Sequence, residues 1–375
     1  MNELLVVDSL QDLQEVAAVA STAFEPVVAV PSAPALLERL RAWEADFLAG
    51  QARATVAAVR ADWQQYIEWC EAQHRTPLPA DVDQLAAFIN NALIRGRKLS
   101  TLKRYVYTVG LIHEAAGLAS PAKDARWKRK WGAIRKTLVE RTGADGEPDN
   151  GNLTRQAGEL LTDDIAKILA TLGEHPRDLR DAAMLALASD TLARESELVG
   201  VRVEHLHQNR AKRSWSLWLP RSKSNQTGER KDYRHVSEET IARVRAWQAA
   251  AGIETGLLFL PVGGRPKRRV QAAVAEGREP PIVALGAKEV ARIFRRRAVQ
   301  AGLAHAWSIS GHSTRVGTAN DLINGGATIA QIMDAGGWRS AEMVAIYTRR
   351  SQAGANAVAE LRAKQRAAGG RKETE

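Results

Sequence analysis

The sequence predicts a mainly α-helical, two-domain protein with a small antiparallel β-sheet in its second domain. Three observations carry that expectation. Apolar residues recur at intervals of three and four from Ala35 to Glu140, the period of a helix with one buried face. The segment Thr142-Gly-Ala-Asp-Gly-Glu-Pro-Asp-Asn-Gly-Asn152 offers almost nothing able to pack and reads as a linker. Beyond it, Trp215-Ser-Leu-Trp-Leu219 alternates in the manner of a half-buried strand.

Residues 1–34 carry only acidic charge and hold Pro31 and Pro34, so they are expected to form a flexible tail. The helical domain spans 35–140. Its helices are marked by Leu36-Leu40-Trp43-Phe47, Val56-Val59-Trp63-Tyr66-Ile67-Cys70, Leu85-Phe88-Ile89-Leu93 and Leu102-Tyr105-Val106-Val109-Ile112, with breaks at Thr76–Pro79, Gly96 and Gly117–Pro121. After a linker over 141–156, a second domain covers 157–350. Helical patterns at Asp163–Leu172 and Asp178–Ser189 lead to Arg194-Glu-Ser-Glu197. A hairpin then pairs Trp215–Leu219 with Tyr233–Val236 and carries Lys223 near its turn. A loop rich in Gly, Pro, Arg and Lys follows Val262 up to Pro281, and helices resume to Tyr347. Residues 351–375 form an Ala-rich amphipathic terminal helix with a thin apolar stripe, which can bury itself only against another surface.

The chain has 375 residues, 53 Lys and Arg against 43 Asp and Glu, and a formal charge of +10. The first 50 residues hold eight acids and two bases, so the basic excess lies entirely behind an acidic leader. That balance points to a polyanionic partner, with nucleic acid first among them. Cys70 is the only cysteine, which rules out an intrachain disulfide and a multi-cysteine zinc site and fits a reducing, intracellular home. The absence of an unbroken apolar run of spanning length argues for no membrane partner.

The chemistry concentrates in two places. Ser310-Gly-His312-Ser-Thr-Arg315 sets a His and an Arg three apart, and Tyr347 follows Trp338 by nine residues. Alone, His-x-x-Arg is a solvated helix face. Together with Arg194, Glu197 and Lys223 it supplies every group that a metal-free attack on a phosphodiester requires. Arg194 and Arg315 suit the non-bridging oxygens because a guanidinium stays charged and offers a planar fork of donors. Lys223 could protonate the leaving 5′ oxygen. Tyr347 is the candidate nucleophile, with a free phenol pKa near 10 that calls for a base or a cationic site. His312 is the candidate base, and Glu197 is spaced to orient a neighbouring arginine. Trp338, after Gly-Gly, would pack and offer one indole hydrogen bond.

These residues resemble the tyrosine site-specific recombinases. The resemblance rests on Arg194-x-x-Glu197, Arg221-Ser-Lys223-Ser, Ser310-Gly-His312-Ser-x-Arg315-Val-Gly, Ala335-Gly-Gly-Trp338 and Tyr347, and covers roughly residues 37–360. Trp338 and Glu197, where many members carry histidine and aspartate, lean towards the Cre-like branch. The resemblance implies a two-domain DNA clamp and a phosphate framed by Arg194, Lys223, His312, Arg315 and Trp338. It further implies a 3′-phosphotyrosyl intermediate at Tyr347 and strand exchange through a Holliday junction, with no cofactor, metal or ATP. The implied partners are a double-stranded target with inverted-repeat arms and a homotetramer on two sites, joined by cyclic exchange of the terminal helix. The implied setting is the cytoplasm, with the protein at the nucleoid and encoded by a bacterium, phage or plasmid. Two alternatives stay open: DNA relaxation of the type IB topoisomerase kind, and a non-catalytic DNA-binding protein on the same fold.

Other basic clusters are candidates for DNA contact. Seven bases fall among the fourteen residues Lys123–Lys136, Arg129 and Lys130 among them, interleaved with Trp127 and Trp131. Ser100, Lys103 and Arg104 open a helix of the first domain. Lys288, Arg292, Arg295 and Arg296 line one side of a helix whose other side is apolar, with Lys288 and Arg292 as candidate base readers. Arg221 competes with Lys223 as a phosphate contact.

Overall fold

The computed structural model describes residues 32–140, 157–209, 214–220, 231–263, 271–278 and 283–354, with 358, 361, 362 and 365 beyond them. The chain divides into two compact units, Met1–Arg155 and Gln156–Glu375. The first is helical throughout its described residues: α1 (Ala33–Gly50), α2 (Arg53–Ala72), α3 (Val82–Ile94), α4 (Leu99–Ala115) and α5 (Trp127–Val139). Pro34 occupies the first turn of α1, where a missing N–H costs nothing. The Asp81 carboxylate caps α3 by accepting from Gln84 N at 2.7 Å.

The apolar residues that set the helical period face one core, including Leu40, Trp63, Tyr66, Ile67, Leu85, Phe88, Ile89, Leu102, Val109 and Ile112. His113 is fully buried and serves as a polar staple. Its Nε2 accepts from Ala80 N at 2.9 Å, which makes Nδ1 the protonated nitrogen that donates to Val109 O at 2.7 Å.

The second unit holds α6 (Thr162–Ala170), α7 (Pro176–Thr191), α8 (Glu195–Leu198), β1 (Leu206–Asn209), β2 (Ser214–Leu219), β3 (Asp232–Val236), α9 (Glu238–Ala251), α10 (Ala287–Gln300), α11 (Ser313–Asn324), α12 (Ile329–Gly336) and α13 (Ala341–Gly354). The strands form one antiparallel sheet in the order β1-β2-β3. The mainly helical class with a small antiparallel sheet is therefore as the sequence predicts, and β2 and β3 are the strands of the expected hairpin. Its turn, with Arg221 and Lys223, lies outside the described residues. Two features differ from the reading above. The polar run Leu206–Asn209 adds a third strand, and residues 271–275 are helical within the expected loop, where Ala273 is buried.

The main core of this unit gathers Ile168, Leu185, Leu187, Leu217, Val236, Ile241, Trp247, Phe259, Ile293 and Phe294. A separate cluster of Leu192, Ala319, Ile332, Trp338 and Val344 joins α11, α12 and α13, with Tyr347 packed against it. The segment ahead of α6 is laced to this region by backbone: Gly158 N donates to Ser308 O and Leu160 N to Ser313 O, each at 3.0 Å. A Cβ on Gly317 of α11 would lie 1.8 Å from Leu160 O, so only glycine lets the two backbones approach this closely. Among the described residues, no helix is long and apolar enough to cross a membrane.

Candidate active site

Arg315 is the centre of the site. It lies in the first turn of α11 and is 1% exposed. Its Nη1 donates to Leu192 O and its Nη2 to Gly336 O at 2.8 Å. Leu192 ends α7 in the left-handed region, at φ 48° and ψ 30°, which residues other than glycine rarely adopt. The guanidinium carbon stands 4.0 Å from the centre of the Trp338 ring, a cation–π contact worth about 2 kcal/mol once desolvated. Burial first, and then the like charge of Arg194, push the Arg315 guanidinium down to about 10, while Tyr347 and Glu197 act the other way. At neutral pH it remains charged.

Around it, Arg194 directly precedes α8. Glu197 accepts from Arg194 N at 2.9 Å through Oε2 and from Arg194 Nη1 at 2.7 Å through Oε1. One buried carboxylate thereby fixes both the backbone and the side chain of the arginine. Trp338 is buried, and its ring centre lies 5.5 Å from that of the half-buried Tyr347 on α13. A Cβ on Gly336 would lie 2.1 Å from the Trp338 ring, so the first glycine of the pair makes room for the indole. Two buried donors here, Arg315 Nε and Trp338 Nε1, have no hydrogen-bond partner among the described residues.

His312 differs from the expectation drawn from its spacing. It stands at the N-cap of α11 and is exposed, its backbone N donating to Ser310 Oγ at 3.2 Å. Arg315 instead turns inward. The pair thus spans the boundary between surface and interior, because α11 begins at Ser313 and its first turn packs against Leu160. Among the described residues, no three His, Cys, Asp or Glu side chains gather as a metal ion would need.

Sequence reasoning missed Arg234. In β3, Asp232, Arg234 and Val236 face inward while Tyr233 and His235 face out, so the alternation around Val236 was the signal that would have found it.

Residues 159–353, more than half of the chain, match the phage integrase family. The chain belongs to the phage integrase family. Its members among the curated relatives include Recombinase cre of Escherichia phage P1, 25% identical over 76% of this chain and 81% of the relative. Another is the integrase/recombinase xerD homolog of Selenomonas ruminantium, 28% identical over 78% and 80%. The fold is shared with XerH site-specific recombinase bound to palindromic difH substrate, at TM-score 0.53, 12% identity and 94% of each chain. It is also shared with the Tn1549 transposon integrase in complex with transposon right end DNA, at TM-score 0.52, 10% identity, 82% of this chain and 94% of that one. The chain is a tyrosine site-specific recombinase of this family. Identities of 25% and 28% do not separate a Cre-like branch from a XerD-like one, so the leaning drawn from Trp338 and Glu197 gains little from them.

The remaining candidates of this integrase fall into two groups. Ser100, Lys103, Arg129 and Lys288 are exposed. Arg104, Lys130 and Arg292 are engaged within the chain: Arg104 forks onto buried Asp62 at 2.5 and 2.7 Å, Lys130 pairs with Asp83 at 2.6 Å, and Arg292 pairs with Glu289. The basic stripe of α10 is also narrower than its sequence suggests. Arg295 donates to Ile309 O at 3.1 and 2.9 Å, and Arg296 turns to Asp181 at 2.9 Å.

Proposed function

We propose that this recombinase cleaves and rejoins DNA through a 3′-phosphotyrosyl intermediate and a Holliday junction. The observation that carries the reading is a charged, buried Arg315, walled by Trp338 and Tyr347, with unpartnered donors on Arg315 and Trp338. Non-bridging phosphate oxygens would satisfy those donors, and Arg194 would add a second guanidinium held in place by Glu197. Charge accumulates on those oxygens in the transition state, so fixed cations lower the barrier without reorganising.

The Tyr347 phenolic oxygen forms the new bond to phosphorus as the bond to the 5′ oxygen breaks. The phenolic proton passes towards His312, and Lys223 delivers a proton to the departing 5′ oxygen. Rejoining reverses these steps with a 5′ hydroxyl from the partner duplex, so the bond energy is conserved in the covalent link. That XerH is bound to a palindromic difH substrate and the Tn1549 integrase to transposon right end DNA supports double-stranded DNA as the partner here. A target with inverted-repeat arms and a homotetramer on two such sites, joined by exchange of the terminal helix, complete the proposal. Ser100, Lys103, Arg129 and Lys288, as exposed groups, are the DNA contacts best supported; Arg104, Lys130 and Arg292 would have to exchange a carboxylate for a phosphate.

The test uses duplexes that the wild-type protein retains from a randomised pool, nicked so that the cleaved fragment is lost and the adduct accumulates. A covalent complex mapped to Tyr347 is expected, and Tyr347→Phe should form none. An adduct on another residue, or undiminished activity of the Phe variant, would sink the mechanism. Rapid relaxation of a supercoiled plasmid lacking the selected site would favour topoisomerase chemistry instead.

A further inference from the structure

Arg234 is an arginine where an amphipathic strand should carry an apolar residue, and it is only 3% exposed. Its Nη1 donates to Asp334 O at 3.1 Å and to Ala335 O at 2.7 Å. Its Nη2 donates to Asp232 Oδ2 at 2.8 Å. The two carbonyls belong to the last turn of α12, where carbonyls are left short of helical partners and a cation is favoured; Asp334 O also accepts from Gly337 N of the exit turn at 3.2 Å. The next carbonyl, Gly336 O, goes to Arg315. Two guanidinium groups therefore divide three successive carbonyls of one helix end, and the chain leaves that end directly into Trp338.

Gly337 makes the exit turn at φ 59° and ψ 39°. A Cβ there would lie 1.8 Å from Arg234 Nη2, so the second glycine of the pair is needed for Arg234 as the first is for Trp338. Asp232, two residues away on the same face of β3, supplies the opposite charge that a buried guanidinium requires.

We propose that Arg234 is a positioning residue of the recombination reaction: it clamps the carbonyl end of α12, and so sets the Gly336 carbonyl against Arg315 and the Trp338 ring against Arg315 and Tyr347. Both of its Nη atoms are held by the protein, and its Nε is buried without a hydrogen-bond partner among the described residues. The assignment rests on the reading of Tyr347 as nucleophile. It also has a rival, because β3 closes the hairpin that carries Lys223, and Arg234 could act by holding that hairpin alone.

Leaving-group chemistry separates the two. A substrate whose bridging 5′ oxygen is replaced by sulphur departs without a proton and does not need the acid. Full-length Arg234→Met and Arg234→Lys are compared with wild type on nicked oxygen and sulphur duplexes, with binding to the same duplex measured alongside. A misplacement of about 1 Å at a reacting group costs on the order of 100-fold in rate. Single-turnover cleavage by Arg234→Met is therefore expected to fall by roughly that factor on both substrates, with affinity within about threefold. Arg234→Lys keeps the charge beside Asp232 but cannot span two carbonyls and Asp232 together, and should lose at least tenfold; it decides the matter if the Met variant does not fold.

Cleavage by the Lys variant within threefold of wild type, or a defect that sulphur abolishes, would overturn the proposal. Tyr347→Phe run in parallel keeps the two readings apart. An adduct in that variant defeats the nucleophile assignment, whereas an inert Phe variant beside a fully active Arg234→Lys defeats only the clamp.

Discussion

Replacing Asp181 by asparagine should unfold the second unit at a markedly lower temperature. Asp181 lies on α7 and is 1% exposed. Its Oδ1 accepts from Arg180 Nε and Nη2 at 2.9 and 2.6 Å. Its Oδ2 accepts from Arg296 Nη2 at 2.9 Å and Arg297 Nε at 2.7 Å. Arg180 and Arg297 are themselves buried, so one carboxylate pairs with two interior guanidinium groups and fastens α10 to α7. Asparagine keeps the shape, removes the charge and turns an amide donor towards donors. Removing one partner of a buried pair costs about 3–5 kcal/mol.

Arg297 retains Asp178 Oδ1 at 2.5 Å, which places the expected loss near the lower bound, about 3 kcal/mol. For a unit of this size, that corresponds to a fall of roughly 6–12 °C in midpoint. Arg296 is half-exposed and leaves Asp181 with its bonds to Arg180 and Arg297, so Arg296→Ala, the control, is expected to cost no more than about 1 kcal/mol. Calorimetry of the full chain, resolving the transition of each unit, measures both. If Asp181→Asn moves the midpoint no further than Arg296→Ala does, the network is not holding α10 to α7 and the reasoning fails.

Two further outcomes are expected. Burial lowers the pKa of His113, against a smaller opposing effect of its bond to Val109 O. The unfolded chain then binds the extra proton first, and stability of the first unit is present above about pH 6.5 and declines as pH falls below it, by at most about 1.4 kcal/mol per pH unit. Urea titrations between pH 7.5 and 5.5 should show this slope in wild type and lose it in His113→Gln; an unchanged slope in the variant would refute it. Gly317→Ala would force its new methyl group into the Leu160 carbonyl, with an expected loss of about 1–3 kcal/mol. Thermal unfolding that matches wild type would show that the two backbones can part at no cost.

The sequence made the candidate site readable because its chemistry is carried by rare residue types at fixed intervals. Arg194, Glu197, Arg315, Trp338 and Tyr347 do converge around one buried guanidinium, and the helical periods that defined the two cores are the faces that pack. What spacing could not reveal is direction. The interval between His312 and Arg315 suggested a shared helix face, yet the helix starts between them, and only backbone packing against Leu160 sets where it starts. Arg104, Lys130, Arg295 and Arg296 read as free cations along the chain, and their carboxylate or carbonyl partners are distant in sequence. Arg234 was hidden for the same reason: the two carbonyls it clamps lie 100 and 101 residues away, on a helix end. β1 was missed because Leu206–Asn209 is short and polar and becomes a strand only through pairing with β2.

The lacing of residues 158–160 onto α11 also sets where the second unit can be cut or lengthened. Its first fixed point is the short run Gly158–Leu160 ahead of its first helix, held by backbone hydrogen bonds and by the buried Leu160 side chain. A single residue added between Gly158 and Thr162 would throw Leu160 N out of register with Ser313 O, and Thr162 out of register with Asp321, which accepts from its N and Oγ1 at 2.8 Å. A fragment trimmed to the start of α6 would keep every helix of the unit and still lose the tether on the helix that carries Arg315.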